Sequence, residues 1–594
     1  MIQNRALSWE RHNTRGTALM AVIALVASLF ISAAGPAAAA PEGTLDLIVR
    51  ETSPASETAE TLVERLGGVV TANLDIIGGF SASVPAGALD VLRVSDAILT
   101  VTADHAATDL GAGWQDATLL GDYDPNEWMG SMLHMGHQLG VDEYWSKGYT
   151  GAGVGIALID TGVVPVEGLT APGKIVNGPD LSFESQSDTF RHLDTYGHGT
   201  HLAGIIAGRD SSAPAELDVF DAAAHHLGAA PDAHIVNVKV AGHDGAVDVS
   251  QVIAALDWVV QHKDDHNIRI INLSYGTDST QDPRYDPLSY AVEQAWKHGL
   301  LVVVASGNDG NTSAVRNPAT NPYVLTVGAL DGYSLKGKNT QPIPDWSSCG
   351  TDRTVDLVAP GTSIVSLRNP GSTADVEHPE ARVGDRFFLG SGTSQAAAAA
   401  SGAAALVLER NPEYTPDQLK DVLIDSADSF RRVSSVCQGA GKIRLHDTWW
   451  ETPDQYVQSH PTAFGTGSLE DARGSDHLEI DGVVLEGEQD IFGVAWDGEL
   501  WSVMAALGTS WSGGDWNGTS WSGTSWSGTS WSGTSWSGTS WSGTSWSGTS
   551  WSGTSWSDKS WSGTSWSGTS WSGTSWSGLS WSSAGWGDSG LRWD

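Results

Sequence analysis

Four stretches of the chain are apolar at consecutive positions: residues 154–159, 235–240 (broken by Asn237 and Lys239), 268–273 (broken by Arg269 and Asn272) and 300–305. Runs of this length that do not alternate read as strands buried on both faces, the habit of parallel sheets. Between and after them lie stretches with helical spacing. Residues 250–264 place Val252, Ile253, Leu256, Val259 and Val260 on one side, and residues 288–298 form a second such stretch. Alternation of strand and helix predicts an α/β fold, a parallel sheet flanked by helices. Upstream the pattern is finer grained. Residues 45–49 alternate as a strand, and 55–66 are amphipathic through Leu62, Val63 and Leu66, with Gly67 as a stop. Residues 69–77 and 80–84 form a hairpin around Gly78-Gly79, 86–94 a second short helix and 98–101 a last strand. This β-α-β-β-α-β order predicts a small α+β unit.

The two ends depart from globular patterning. Arg5, Arg11 and Arg15 precede an apolar stretch at 17–34, and Ala37-Ala38-Ala39 follows it. This predicts a leader over 1–39 that is removed on export, with a membrane anchor as the alternative. From Trp511 to Trp586 a tryptophan falls at every fifth residue, mostly as Trp-Ser-Gly-Thr-Ser. A step of five makes no simple amphipathic face on a helix or a strand. Two pictures remain. One is a β-solenoid with four repeats per coil. The other, favoured by a composition too poor in bulky aliphatics for a core, is a disordered chain carrying aromatic stickers. In either, tryptophans could stack on a cell-surface polymer. Residues 447–507 read as an acidic linker without an assigned role.

Charge and cysteines narrow the partners. The chain carries 70 acidic against 31 basic residues, a formal net charge of -39, which excludes nucleic acid and anionic membranes as partners held by a basic patch. Cys349 and Cys437 are the sole cysteines, free to pair as one disulfide in an exported protein or to stay apart. No spacing resembles a zinc site.

The candidate chemistry lies in four short segments: Ile159-Asp160-Thr161-Gly162, Gly197-His198-Gly199-Thr200-His201, Ala305-Ser306-Gly307-Asn308-Asp309 and Gly392-Thr393-Ser394-Gln395-Ala396. Asp160 closes a buried strand, where open sheets place their ligands. Ser394 precedes an alanine-rich stretch and so stands at a helix N-terminus, where free N–H groups favour developing negative charge. A serine needs a base within hydrogen-bond reach, and the base needs an orienting partner. Asp160, His198 and Ser394 supply all three, in that chain order.

On these motifs residues 132–446 resemble the subtilisin-like serine proteases (subtilases, peptidase S8). The resemblance implies that Asp160 orients the base, His198 acts as general base and then acid, and Ser394 is the nucleophile. Asn308 and the Ser394 backbone N–H would form the oxyanion hole. Ser274, Tyr275 and Gly276 would pair with an extended peptide, while Ala305, Ser306 and Gly307 would line the pocket beside it, open to apolar or varied side chains. It also implies that residues 40–105 are an inhibitory propeptide, cleaved within 106–131. No cofactor is needed for the chemistry and no metal ligand is assigned. Structural calcium is allowed in a surface loop such as that carrying Asp210, Asp218, Asp221, His225 and His226. The Asn321-Pro322 step sits where the family often has a cis bond. Gln395 and Ala398–Ala400 depart from the usual serine motif, which touches local packing and not the triad. The expectation is a secreted, monomeric endopeptidase made as a zymogen, acting on protein or peptide substrates, with 508–594 as a repeat tail. Peptide ligation or dedicated processing is left open. The rival is a non-catalytic surface protein working through that tail.

Overall fold

The computed structural model describes residues 44–51, 58–74, 79–88, 91–92, 95, 97–103, 113–115, 117, 123–187, 189–332, 342–351, 353–451, 453, 457–480, 483–491, 495–511, 520–538 and 540–583. The expected leader over 1–39 lies outside them, as do residues 106–112, 116 and 118–122 of the expected processing stretch 106–131.

The small N-terminal unit has strands β1 (Thr44–Glu51), β2 (Val69–Leu74), β3 (Gly79–Pro85) and β4 (Ile98–Ala103), with helix α1 (Thr58–Arg65). Its sheet order is β2-β3-β1-β4 and every pair is antiparallel. Val49, Val63, Phe80, Val84 and Leu92 are buried together, so the unit has its own core. Of the expected second helix, a turn at Ala86–Ala88 and residues 91–92 are described. Next in the chain, the two-residue strand β5 (Gly113–Trp114) leaves this unit and pairs with a strand of the large unit.

The large unit is built on seven parallel strands: β6 (Gly155–Asp160), β7 (Ile175–Asp180), β8 (His234–Lys239), β9 (Ile268–Leu273), β10 (Leu301–Ala305), β11 (Leu325–Leu330) and β12 (Leu357–Pro360). Their spatial order is β12-β11-β10-β9-β6-β8-β7. From β6 the chain goes out to the edge strand β7 and returns to β8 beside β6, and β9 to β12 are then laid down in turn on the other side of β6, so the direction changes beside β6. Open α/β sheets form their ligand crevice at the carboxyl ends of strands at such a reversal. Asn237, Lys239 and Asn272 interrupt the apolar runs yet are fully buried, which the sequence pattern does not foretell.

Six helices matter for the site and its surroundings: α2 (Met132–Leu139), α3 (His198–Ala207), α4 (Val249–His262), α5 (Pro287–Lys297), α6 (Thr393–Arg410) and α7 (Pro416–Asp425). Helix α6 is buried from Thr393 to Leu408 and packs across the middle of the sheet. Where a neighbour comes closest the helix has a glycine: a Cβ at Gly402 would lie 2.7 Å from the Ala229 Cβ. A second, antiparallel sheet contains β13 (Ile364–Leu367), β14 (Arg382–Val383) and β15 (Phe387–Ser391), and β15 also pairs with β5, Gly390 opposite Trp114.

Two expectations are corrected. The cis peptide bond is Asn317-Pro318, and Asn321-Pro322 is trans. The sequence offers two Asn-Pro steps four residues apart, and what separates them is tertiary: Asn317 exchanges backbone hydrogen bonds with Thr277 in both directions (2.8 and 3.0 Å). The expected acidic linker over 447–507 is packed on the large unit: the described residues of 457–511 form a strap laid on α4, α5 and the loop after β9. Within it, α8 (Leu469–Arg473) buries Arg473 completely against Asp248, the N-cap of α4, and α9 (Gly498–Ala506) packs on α5. Trp501 Nε1 donates to Asp257 (2.9 Å), Thr277 Oγ1 to Ala472 O (2.7 Å), and Gln281 and Ser468 bond each other twice. Cys349 and Cys437 are joined as a disulfide.

In the repeat region, the strands over Ser520–Gly538 and Ser540–Ser583 pair in parallel with an offset of twenty residues, Trp521 opposite Trp541. Twenty residues are four pentapeptides, the coil length of the solenoid picture rather than of a chain without regular pairing. Among the described residues, no helix is long and apolar enough to cross a membrane.

Candidate active site

Asp160 is the last residue of β6, and its carboxylate is buried. The Thr161 N–H donates to Asp160 Oδ1 (2.8 Å), which fixes the carboxylate's rotation. His198 opens helix α3 and hydrogen-bonds through Nδ1 to both Asp160 oxygens, at 2.8 and 3.1 Å. The two flanking glycines have separate causes. Gly197 takes a φ of 112°, which other residues avoid. Gly199 is needed for space: a Cβ there would lie 2.2 Å from Gly162 O and 3.1 Å from Asp160 Oδ1. The Gly-His-Gly pattern is thus the steric condition for bringing the ring onto the carboxylate.

Asp194 holds this arrangement together and was not singled out by its sequence context. Fully buried, it accepts from Gly197 N (2.6 Å) and Thr200 N (2.8 Å), the first turn of α3, and from Thr161 Oγ1 (2.8 Å). Thr161 Oγ1 accepts in turn from Gly199 N (2.9 Å). Burial pushes the Asp194 carboxyl up, against the pull of these donors. A buried acid beside the first turn of a helix is the signal that could have found it.

Ser394 is the second residue of α6, where the helix N-terminus turns its free N–H groups toward the crevice. Both Ser394 and His198 are buried. His198 Nε2 makes no hydrogen bond in this structure, to Ser394 Oγ or to any other group. Such contacts are often long before substrate binds. Asn308, three residues past β10, accepts at Oδ1 from the N–H and the hydroxyl of Thr393, both at 3.0 Å. With its carbonyl oxygen anchored on the residue before Ser394, the amide nitrogen is turned the other way. Thr393 Oγ1 also accepts from Gly307 N (3.2 Å), so a residue outside the predicted set couples the two loops.

The remaining predicted residues fall around this centre. Ser274, Tyr275 and Gly276 follow β9, and Ala305 ends β10, the adjacent strand. Ser274 and Ser306 turn their hydroxyls inward. Ser274 Oγ accepts from Asn272 (3.2 Å), and Ser306 Oγ donates to Ser348 O (2.8 Å). What these two segments can offer an extended peptide is therefore backbone. Asn272 also accepts from Ser401 on α6 (2.9 Å), tying the helix that carries Ser394 to the strand that leads to Ser274.

Beside the triad lie groups held away from their ordinary protonation. Burial, with His198 close by, pushes His201 down to about 3, and burial pushes His226 down to about 4. Burial alone would raise the Glu184 carboxyl, but the Lys239 ammonium, 2.6 Å away, and His243 hold it at about 2. In the loop considered for calcium, the acids are already engaged. Asp210 pairs with Arg386 (2.7 Å) and accepts from His226 N, while Asp218 and Asp221 cap their own turn. Among the described residues no group of three or more His, Cys, Asp or Glu could hold a metal ion.

The residues described above lie within the part of the chain that resembles known proteins. The Subtilase family profile matches residues 151–455. The chain belongs to the subtilase family. It is 33% identical over 309 residues to the serine protease AprX of Bacillus subtilis (strain 168), covering 50% of this chain and 66% of AprX. It is 31% identical over 281 residues to the minor extracellular protease Epr of the same organism, covering 47% of this chain and 36% of Epr. Subtilisin E, also of that organism, is 28% identical over 400 residues, 66% of this chain and 85% of subtilisin E. The chain thus spans about two thirds of AprX and a smaller part of Epr, and its subtilase relatives are serine proteases.

Proposed function

We propose that this subtilase is a secreted serine endopeptidase made as a zymogen. The observation that carries the reading is the buried Asp160–His198 pair at 2.8 Å at the carboxyl end of β6, two strands from β10, whose following loop bonds Asn308 to Thr393, the residue before Ser394. In this reading the substrate lies extended along Ser274–Gly276, and Ser394 Oγ attacks its scissile carbonyl carbon. His198 Nε2 takes the hydroxyl proton, and the imidazolium so formed is stabilised by Asp160. The oxyanion is held by the Asn308 amide and the Ser394 N–H. His198 then gives its proton to the leaving amine as the C–N bond breaks. A water, deprotonated by the same imidazole, hydrolyses the acyl ester and restores the serine.

The propeptide reading is supported by the independent core of residues 44–103 and by the match to subtilisin E, which covers 66% of this chain against the 151–455 of the family profile. Export is supported by the basic-apolar-alanine order of residues 1–39 and by a relative named as an extracellular protease. The twenty-residue register of the tail, which repeats tryptophan at aligned positions, supports attachment to a surface polymer. Intact-mass analysis of wild type beside Ser394→Ala, each treated with a fluorophosphonate, tests the reading. Loss of the N-terminal unit and one added label in wild type alone are expected. Identical masses without label would refute it.

A further inference from the structure

The proposal concerns which side chain the enzyme accepts at P1, the substrate residue whose carbonyl is attacked, and it rests on the reading just given. The two segments that would flank that side chain, Ser274–Gly276 and Ala305–Gly307, are bridged by one residue. Arg316 N donates to Ser306 O (3.0 Å), and the next residue, Asn317, exchanges backbone hydrogen bonds with Thr277. The Arg316 side chain then lies between the glycines that end the two segments. A Cβ at Gly276 would lie 2.7 Å from Arg316 Cβ, and one at Gly307 would lie 2.8 Å from Arg316 Cγ.

The guanidinium is held in place. Its Nε and one terminal nitrogen donate to both oxygens of Asp309 (2.7 and 2.8 Å), and the other terminal nitrogen reaches Asp476 (3.3 Å). A two-pronged arginine–carboxylate pair fixes orientation as well as charge. Asp476 comes from the strap, beyond the residues that match the family profile. The residue before it, Ser475, donates its N–H and hydroxyl to Asp278 (2.6 and 2.5 Å), two residues beyond Gly276. The strap therefore grips both sides of the slot.

We propose that Arg316, clamped by Asp309 and Asp476, closes the far end of the P1 slot, so that the enzyme prefers small P1 side chains and the strap takes part in that choice. This replaces the open, apolar pocket expected from the sequence. A large aromatic P1 residue would have to displace a methylene chain packed between two backbones and a guanidinium fixed by two carboxylates.

The test is the P1 profile of the full chain on matched peptides with Ala, Phe or Glu at P1. Wild type should favour Ala over Phe. Arg316→Ala should raise the Phe-to-Ala ratio of kcat/KM about tenfold or more, the scale on which pockets discriminate by size. Asp476→Asn removes one carboxylate from the guanidinium and should raise the Glu-to-Ala ratio about threefold. An unmoved Phe-to-Ala ratio in folded Arg316→Ala overturns the proposal. If that variant does not fold, an unmoved Glu-to-Ala ratio in Asp476→Asn overturns it instead. Fluorophosphonate capture on Ser394 separates the two levels. Capture with an unmoved ratio defeats the role of Arg316 alone, and absence of capture defeats the proteolytic reading beneath it.

Discussion

The active-site crevice and the strap are both polar places built on buried charges, yet they are built in opposite ways. In the crevice Asp160 ends a strand and His198 stands between two glycines at the start of a helix, so each is placed by the residues beside it. In the strap the fully buried Arg473 meets Asp248, 225 residues earlier in the chain, and donates also to Gly487 O and Gln489 O. The first kind of site is written in short motifs. The second exists only once the chain has folded, and nothing in the sequence around Arg473 distinguishes it from a solvated arginine. Chemistry here depends on local words, whereas the setting of that chemistry depends on distant pairs.

The largest expected effect breaks the first region. Asp160→Asn leaves a group of the same shape beside His198 but selects the wrong imidazole tautomer, so kcat should fall by about 10⁴ with little change in folding. Steady-state kinetics with a melting curve would show whether activity and stability separate. For the strap they should not. Arg473→Ala leaves Asp248 buried without its cation and should destabilise the fold by about 3–5 kcal/mol. Urea unfolding in a Ser394→Ala background, which prevents self-digestion, would measure it. A loss well under 1 kcal/mol would mean that the strap is an appendage.

Asn308→Ala sharpens the crevice side. It should lower kcat by about 10²–10³, a magnitude carried over from subtilisin, with KM much less affected. Equal damage to KM would assign Asn308 to ground-state binding.

The smallest effect is in pH dependence, where the two regions oppose each other. His201 and His226, at about 3 and 4 when folded against 6.5 when unfolded, bind fewer protons in the folded state. Stability is complete above 6.5 and falls as pH drops through that window. Asp257, beneath Trp501 of the strap, is pushed by burial up to about 7 from 3.8, so folding holds its proton and stability falls as pH rises from 4 toward 7. Asp257→Asn should remove that opposing slope. Between pH 4 and 6.5 the rise of unfolding free energy with pH should steepen by up to ~1.4 kcal/mol per unit. An unchanged slope would place Asp257 outside the folding linkage.

The apolar runs ending at Ile159, Leu273 and Ala305 announced the central strands and hence the crevice, because burial on both faces leaves an unmistakable pattern. Asp160, His198 and Ser394 were legible for the same local reason. Asp194 and Thr393 were not, since their work is to hold other site segments in place: Asp194 bonds the first turn of α3 and Thr161, and Thr393 bonds Gly307 and Asn308. Arg316 was hidden because its role comes from two glycines, Gly276 and Gly307, that meet it only in space. Of the two Asn-Pro steps, the sequence pointed to the wrong one, since the pairing of Asn317 with Thr277 is set by sheet geometry. In the tail, periodicity was plain, but the pairing of Trp521 with Trp541 depends on how many repeats close a coil, and composition argued against any coil.

The central claim is that Asp160, His198 and Ser394 act as one hydrolytic unit. Peptide mapping by mass spectrometry of the fluorophosphonate-treated protein, beside His198→Ala, tests it most directly. The account predicts a single adduct on Ser394 that disappears when His198 is replaced. An adduct on another serine, or one on Ser394 that forms equally well without His198, would contradict it.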